Sequence, residues 1–147
     1  MILLRPSSRA ELMAFDAMDR QDHAIKFVDQ IGLDVHKNYF DNPNTTYLTI
    51  ETGSEELSGY FILVTEEDNK SLEFRRILID QSKRGVGQTA IAEMEKYCKT
   101  ELSISRIWLD VYEDNLIGKH IYKKMAYKPF KAKMVEGRKL EFYEKTL

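Results

Sequence analysis

The chain has 147 residues, 43% apolar and 11% aromatic, with 22 Lys and Arg against 24 Asp and Glu; this is the length and balance of one globular domain that needs neither disulfides nor a structural metal to hold its core. No apolar run exceeds the five residues Tyr60-Phe61-Ile62-Leu63-Val64, which excludes a membrane-spanning helix, and a net charge of −2 offers no broad field for nucleic acid. The one cysteine, Cys98, has no partner for an internal bridge and suits a reducing compartment.

The opening Met1-Ile2-Leu3-Leu4-Arg5-Pro6 is too short in apolar residues for a signal peptide and meets acidic sequence by Glu11, so a cytoplasmic protein is expected. It reads as a short strand stopped by Pro6. Ser7 or Ser8 then caps a helix whose apolar face is Leu12, Phe15 and Met18. Ala24, Ile25, Phe27 and Val28 suggest a second short helix, and Leu33 to Phe40 is ambiguous before the turn signal Asp41-Asn42-Pro43-Asn44. Thr45 to Ile50 and Leu57 to Thr65 are β-rich around a polar loop and predict an antiparallel hairpin. A third strand, Leu72 to Ile79, is polar in its first half and apolar in its second. That pattern predicts passage from an exposed rim into a core covered on both faces, with the inner end deeply buried.

After residues 80–87, Val86, Ala90, Met94, Tyr97 and Cys98 recur at near-helical spacing. Ile104 to Tyr112 is the next strand, with Ile107, Leu109 and Val111 on one face and Trp108 expected as a layer residue between sheet and helix. Strand, helix and strand in this order predict a right-handed βαβ unit with parallel strands. Asn115 to Met125 follows as a helix aligning Ile117, Ile121 and Met125 as its core stripe, and Tyr127 to Val135 with Lys139 to Tyr143 form a terminal hairpin. The fold class is therefore α/β of the α+β kind. Its central sheet is mixed and mostly antiparallel, with a parallel βαβ unit and helices on both faces.

The most informative chemistry is Ser82-Lys83-Arg84-Gly85-Val86-Gly87-Gln88, between a strand and the start of a helix. The first amides of a helix lack internal partners and carry partial positive charge, so such a loop is prepared for an anion. Gly85 and Gly87 let a diphosphate approach the backbone, with Lys83 and Arg84 adding counter-charge. The alternative is that two glycines merely ease a tight turn. Gly85 to Ala90 also fits G-x-G-x-x-A with Asp110 ending the next strand, the pattern of a dinucleotide fingerprint. Hairpin-like strands precede the motif, however, and the chain after Asp110 is too short for the second half of such a fold.

Taken in order, Glu73-Phe74-Arg75-Arg76-Ile77-Leu78-Ile79-Asp80, the glycine loop, its helix, Leu109-Asp110-Val111, Asn115 and Ile121-Tyr122-Lys123-Lys124-Met125-Ala126-Tyr127 resemble the GNAT superfamily of N-acetyltransferases. The last segment is similar to the family's Leu-Tyr-x-Lys-x-Gly-Phe signature, with Ala126 for the glycine. The segment around Glu73 to Ile77 is most similar to the branch of ribosomal-protein N-terminal and polyamine acetyltransferases. Two positions depart from the pattern: Ala126, and Ser82 where the family usually has Arg or Gln, a role that Gln81 or Lys83 would have to supply. The resemblance implies a single N-acetyltransferase domain over residues 1–147 that binds acetyl-CoA (coenzyme A). It implies that the sheet splays open after Ile79. The pantetheine arm would lie along the backbone of Ile77, Leu78 and Ile79, with an oxyanion resting on an N–H near Leu78. The diphosphate would lie on residues 82–88, Val86 among them.

Acetyl transfer to an amine needs a neutral nucleophile, a stabilised oxyanion and a proton for the departing thiolate. The resemblance assigns Tyr122 as the proton donor and Glu73 as a base acting through water. Packing for Tyr122, and simple pairing of Glu73 with Arg75 or Arg76, stay open beside those roles. Asn115 resembles a residue that hydrogen-bonds the cofactor arm, or else it caps its helix. His23, His36 and His120 have no companions at metal spacing and suit surface or helix roles, so no metal is expected. Cys98 reads as a buried, inert thiol, and the late Lys cluster from Lys119 to Lys133 as a solvated face. Glu51, Glu55, Glu56, Glu66, Glu67 and Asp68 form an acidic group that could attract a polyamine.

The expected activity is transfer of the acetyl group to a primary amine of a protein N-terminus, polyamine or other small molecule by direct attack in a ternary complex. A catalytically silent coenzyme A-binding regulatory module is the alternative. A small-molecule or peptide amine is the expected partner, without nucleic acid or membrane, and a homodimer is a family-level expectation.

Overall fold

The computed structural model describes residues 1–25, 28–53, 55–80 and 85–147. The elements run β1 (Ile2–Pro6), a 3-10 turn (Arg9–Glu11), α1 (Leu12–Asp19), α2 (Asp22–Ile25), α3 (Leu33–Asp41), β2 (Thr45–Thr52), β3 (Glu56–Thr65) and β4 (Ser71–Ile79). They continue as α4 (Gly87–Glu101), β5 (Arg106–Tyr112), α5 (Leu116–Lys124), β6 (Lys128–Val135) and β7 (Arg138–Thr146). The ambiguous stretch after Leu33 is thus helical, entered through Gly32 at φ 84°. Phe27 of the second expected helix lies outside the described residues.

Seven strands form one sheet in the order β1-β2-β3-β4-β5-β7-β6. Every neighbouring pair is antiparallel except β4 and β5, the parallel pair that the βαβ reading expects. Strand alternation sends Phe61 and Leu63 of β3 into one core with Ala90, Ile91, Met94 and Cys98 of α4. Tyr60 and Ile62 go into a second core with Leu12, Phe15 and Met18 of α1. Helices therefore cover both faces. The entry to α1 is fixed by Ser8, whose N–H donates to Glu11 at 2.9 Å in a capping box. The Arg5 guanidinium holds the Glu11 carboxyl well below the usual range, at about 2.

A bulge shapes the centre of the molecule. Ile62 pairs with Arg76 but Leu63 pairs with Phe74, so Arg75 is an extra residue in β4. The extra residue shifts the alternation by one. Leu72 and Phe74 face the α4 core, and beyond the bulge Ile77 and Ile79 face that side while Leu78 joins the α1 core. A bulge also bends its strand, and β4 pairs with β5 only over Ser71–Glu73 against Arg106–Trp108.

Four expectations are corrected here. The sheet opens after Glu73, not after Ile79. The inner end of β4 is buried only at Leu78: Leu72 and Phe74 of the first half are buried too, whereas Ile77 and Ile79 are half-buried along the opening. In α5 no residue is fully buried and Ile117 is 69% exposed, so the stripe that packs on the core is Ile121, Tyr122 and Met125. Trp108 is not sandwiched under a helix by its observed contacts. Its indole N–H donates to Glu66 at 2.5 Å and its ring lies against Phe142 of the neighbouring strand.

Candidate active site

The divergence of β4 from β5 leaves a cleft lined by Phe74, Ile77 and Ile79 on one side and by Asp110, Asn115 and Tyr122 on the other. The edge of β4 along this cleft is unpaired beyond Glu73. The Asp80 N–H donates to Ser58 at 2.8 Å on the β3 side, and the Leu78 carbonyl also faces β3, against Gly59. Alternation then turns the N–H and C=O of Ile77 and Ile79 toward the cleft. The main chain of Leu78 itself is committed to β3, so a cleft-facing N–H near Leu78 belongs to Ile77 or Ile79.

A second cavity lies beside the first, lined by Ile79, Asp80, Gly85, Gly87, Gln88 and Ile121. Gly85 has φ 90°, a left-handed conformation that side chains rarely adopt, and open space lies within 4 Å of both glycines where a Cβ would stand. Gly87 begins α4, entered through Val86, so the free amides of a 15-residue helix point to this cavity. Gln81, Ser82, Lys83 and Arg84 lie outside the described residues.

Tyr122 is positioned by how α5 ends. The Tyr127 N–H donates to the Tyr122 carbonyl at 2.9 Å and the Ala126 N–H to Lys123 at 3.0 Å, with Ala126 at φ 72°. This is the left-handed stop usually built on glycine. The ring of Tyr122 packs edge-on against Phe74 and Tyr127, and its hydroxyl makes no hydrogen bond to another side chain among the described residues. Burial, with the negative charge of Asp110 second, pushes its phenol up to about 12. It therefore keeps its proton at neutral pH.

Glu73 is gripped by Arg75, with Nη2 at 2.8 Å and Nε at 3.2 Å, and Arg75 also lies over the ring of Tyr39. Glu73 thus makes the ion pair with Arg75 that the sequence allowed. Arg76 points away from Glu73, to Asp19 at 3.2 Å. Asp110, which the sequence offered as the end of a dinucleotide pattern and within the Leu109-Asp110-Val111 segment, lines the cleft and makes no ion pair among the described residues. Solvent reaches it, but crowding by protein, then the charge of Glu73, raises its pKa; Lys133 and Arg75 oppose that rise. Asn115 caps α5 by accepting from the Gly118 N–H at 3.0 Å and also lines the cleft.

His120 is exposed on α5, in keeping with a surface or helix role, but two histidines depart from a surface role. His36 is fully buried, with Nδ1 2.7 Å from the Tyr47 hydroxyl and Nε2 2.7 Å from Asp19. Asp16, Asp19 and His36 do bring three ligand-type atoms within 4.8 Å of one another, which the spacing did not disclose. Asp19 also accepts from Tyr60 and Arg76, and Asp16 from Arg20, so the group is a hydrogen-bonded core network. His23 reaches the carbonyl of Ile79 at 2.7 Å. The acidic group divides: Glu51, Glu55 and Glu56 lie at one end of the β2–β3 hairpin and Glu66 to Asp68 at the other, roughly 30 Å of strand away. Glu51 is buried and paired with Arg5. Cys98 is fully buried, its thiol pushed up to about 12 by that burial, as an inert thiol should be.

A seven-stranded sheet opened at one parallel seam, with a glycine loop and helix start at one end of the opening, is the architecture of acyl-CoA N-acyltransferases. The sequence profile of the acetyltransferase (GNAT) family matches residues 12–127, and the chain belongs to that family. It is an acetyl-CoA-dependent N-acetyltransferase. No curated protein matches the sequence. Among solved structures, it is similar to a spermidine N-acetyltransferase from Vibrio cholerae in complex with CoA and spermine. Identity is 17%, TM-score 0.83, and the match covers 99% of this chain and 95% of the other. It is also similar to a putative phosphinothricin N-acetyltransferase at 15% identity and TM-score 0.79, covering 100% and 99% of the two chains. At these identities the likeness carries the fold alone. No helix among the described residues is long and apolar enough to cross a membrane.

The site fits the cofactor on its own geometry. An unpaired strand edge offers alternating donors and acceptors to the amides of a pantetheine arm, and open space at Gly85 and Gly87 admits a diphosphate to helix amides.

Proposed function

We propose that the chain acetylates a primary amine that enters the cleft as an ammonium ion, within a ternary complex. The observation that carries this reading is that a carboxylate without an ion pair, Asp110, and an unpartnered hydroxyl, Tyr122, line the same cleft between β4 and β5. Bound acetyl-CoA supplies the thioester carbonyl and a thiolate leaving group.

Ile77 and Ile79 hold the cofactor arm by main-chain hydrogen bonds, and their cleft-facing N–H groups are the oxyanion donors. Gly85, Val86, Gly87 and Gln88 hold the diphosphate, together with residues 82–84. Asp110 takes the proton that the ammonium must lose before its nitrogen can attack. Tyr122 holds a proton at Oη for the departing sulfur. Glu73 and Arg75 act on Asp110 through charge: Glu73 raises its proton affinity and Arg75 lowers it. Asn115 holds the start of α5, and with it Gly118 beside the cleft. The same charge pattern favours a cationic acceptor, a polyamine or the free N-terminus of a peptide, over an acidic one. A cytoplasmic setting agrees with the lone buried thiol.

Calorimetric titration with acetyl-CoA and NAD, followed by thiol-release assays over polyamines, amino acids, aminoglycosides and peptide N-termini, tests the reading. Binding of acetyl-CoA alone with turnover on at least one amine supports it. Binding without turnover on any amine identifies the silent coenzyme A-binding module instead.

A further inference from the structure

His23 stands where the two cavities meet. With Ile79 and Ile121 it lines both the main cleft and the cavity at the glycine loop. Anything running from Gly85 and Gly87 to Tyr122 passes these three side chains. The imidazole Nε2 is 2.7 Å from the carbonyl oxygen of Ile79. A carbonyl can only accept, so Nε2 carries the hydrogen and donates it. The neighbouring turn is fastened to the same end of β4, where Gln21 Nε2 donates to Asp80 at 2.8 Å.

The docked imidazole is half-satisfied. Its Nδ1 is buried and makes no hydrogen bond, the one such buried side-chain atom among the described residues. The docked position thus gains one hydrogen bond and leaves one nitrogen desolvated without a partner, an arrangement that offsets much of its own stabilisation. A ligand amide on the same carbonyl would carry no such penalty.

We propose that His23 is a displaceable latch on the cofactor-arm site: it covers the Ile79 carbonyl in the free protein and rotates away when an arm amide N–H takes that acceptor. The proposal rests on the reading of the β4 edge as the place of the pantetheine arm. It adds a selection step, because a ligand carrying only the phosphates has nothing with which to displace the imidazole. His23 is a positioning residue in this scheme and takes no part in acyl transfer.

The test titrates the wild-type chain and His23→Ala with acetyl-CoA and with adenosine 3′,5′-bisphosphate, which has phosphates but no arm. His23→Ala should bind acetyl-CoA roughly two- to threefold more tightly, the low end of one net hydrogen bond because the unpaired Nδ1 offsets the rest, with bisphosphate affinity unchanged. Nitrogen-resolved NMR of the wild-type imidazole supplies a readout without mutation. The Nε2–H signal should be present in the free protein, persist with the bisphosphate and vanish on saturation with acetyl-CoA. Equal or weaker acetyl-CoA binding by His23→Ala overturns the latch, as does an Nε2–H signal that survives saturation. Wild-type protein that does not bind acetyl-CoA overturns the reading of the β4 edge itself, a result separate from the failure of the latch.

Discussion

Gly59 of β3 lies so close to the main chain of Leu78 in β4 that a β-carbon on it would sit 2.2 Å from the Leu78 carbonyl oxygen. That oxygen is backbone in the middle of a sheet and cannot turn aside, so a side chain at Gly59 has to push the end of β4 toward the cleft. Gly59→Ala is expected to destabilise the fold by about 3 kcal/mol or more, within the range of severe overpacking and strain. Chemical denaturation measures this. Where the variant folds, its acetyl-CoA affinity should fall as well, because the displaced segment is the Ile77–Ile79 edge.

Tyr122→Phe keeps the ring against Phe74 and Tyr127 and removes only the hydroxyl. Acetyl-CoA binding should stay near the wild-type value while kcat falls at least tenfold, against the roughly 10²–10⁴-fold that a positioned proton donor typically contributes. Calorimetry and thiol release on the same preparation check both halves. A loss of binding equal to the loss of turnover would make the residue a packing element.

The pH profile separates Glu73 from Asp110. The proposed base works ionised, and Glu73 raises its pKa by like charge, so activity should rise with pH through the Asp110 titration. Glu73→Gln removes that charge and frees Arg75, and both changes lower the Asp110 pKa. The acidic limb of kcat/KM should therefore move to lower pH in Glu73→Gln. Asp110→Asn should lose at least a hundredfold in kcat and lose the limb altogether. A Glu73→Gln variant as inactive as Asp110→Asn would return the base role to Glu73.

Ala126 holds a left-handed conformation at φ 72° to close the stop after α5. An alanine there is strained relative to glycine by roughly 1 kcal/mol, so Ala126→Gly should raise stability by about that amount, or roughly 2–5 °C in Tm for a chain of this size. The family-like signature with its missing glycine is therefore a site where the sequence tolerates strain to keep Tyr122 in register.

The period-two strands and the α4 stripe were legible because they are core, and cores are written in apolar spacing: Phe61 and Leu63 face one way, Tyr60 and Ile62 the other. The opening was misplaced because Ile77-Leu78-Ile79 reads as a buried run. Strand alternation already splits those residues between two faces, and which face each takes is set by Arg75, an extra residue visible only in the pairing with β3. Tyr122 and the glycine loop stood out through local pattern. Asp110 and His23 did not, because what marks them is set by distant chain: Asp110 stands beside Glu73, and His23 reaches the Ile79 carbonyl 56 residues on.

The three-residue contact between β4 and β5 has a mechanical consequence. On one side of it lie four strands braced by β-hairpins, and on the other a three-stranded ribbon, so the sheet is two stiff plates joined at a narrow hinge. A guest wedged between Ile79 and α5 splints that hinge from its open end. The amides of β5 and the first turn of α5 should then exchange with solvent more slowly whenever the wedge is in place.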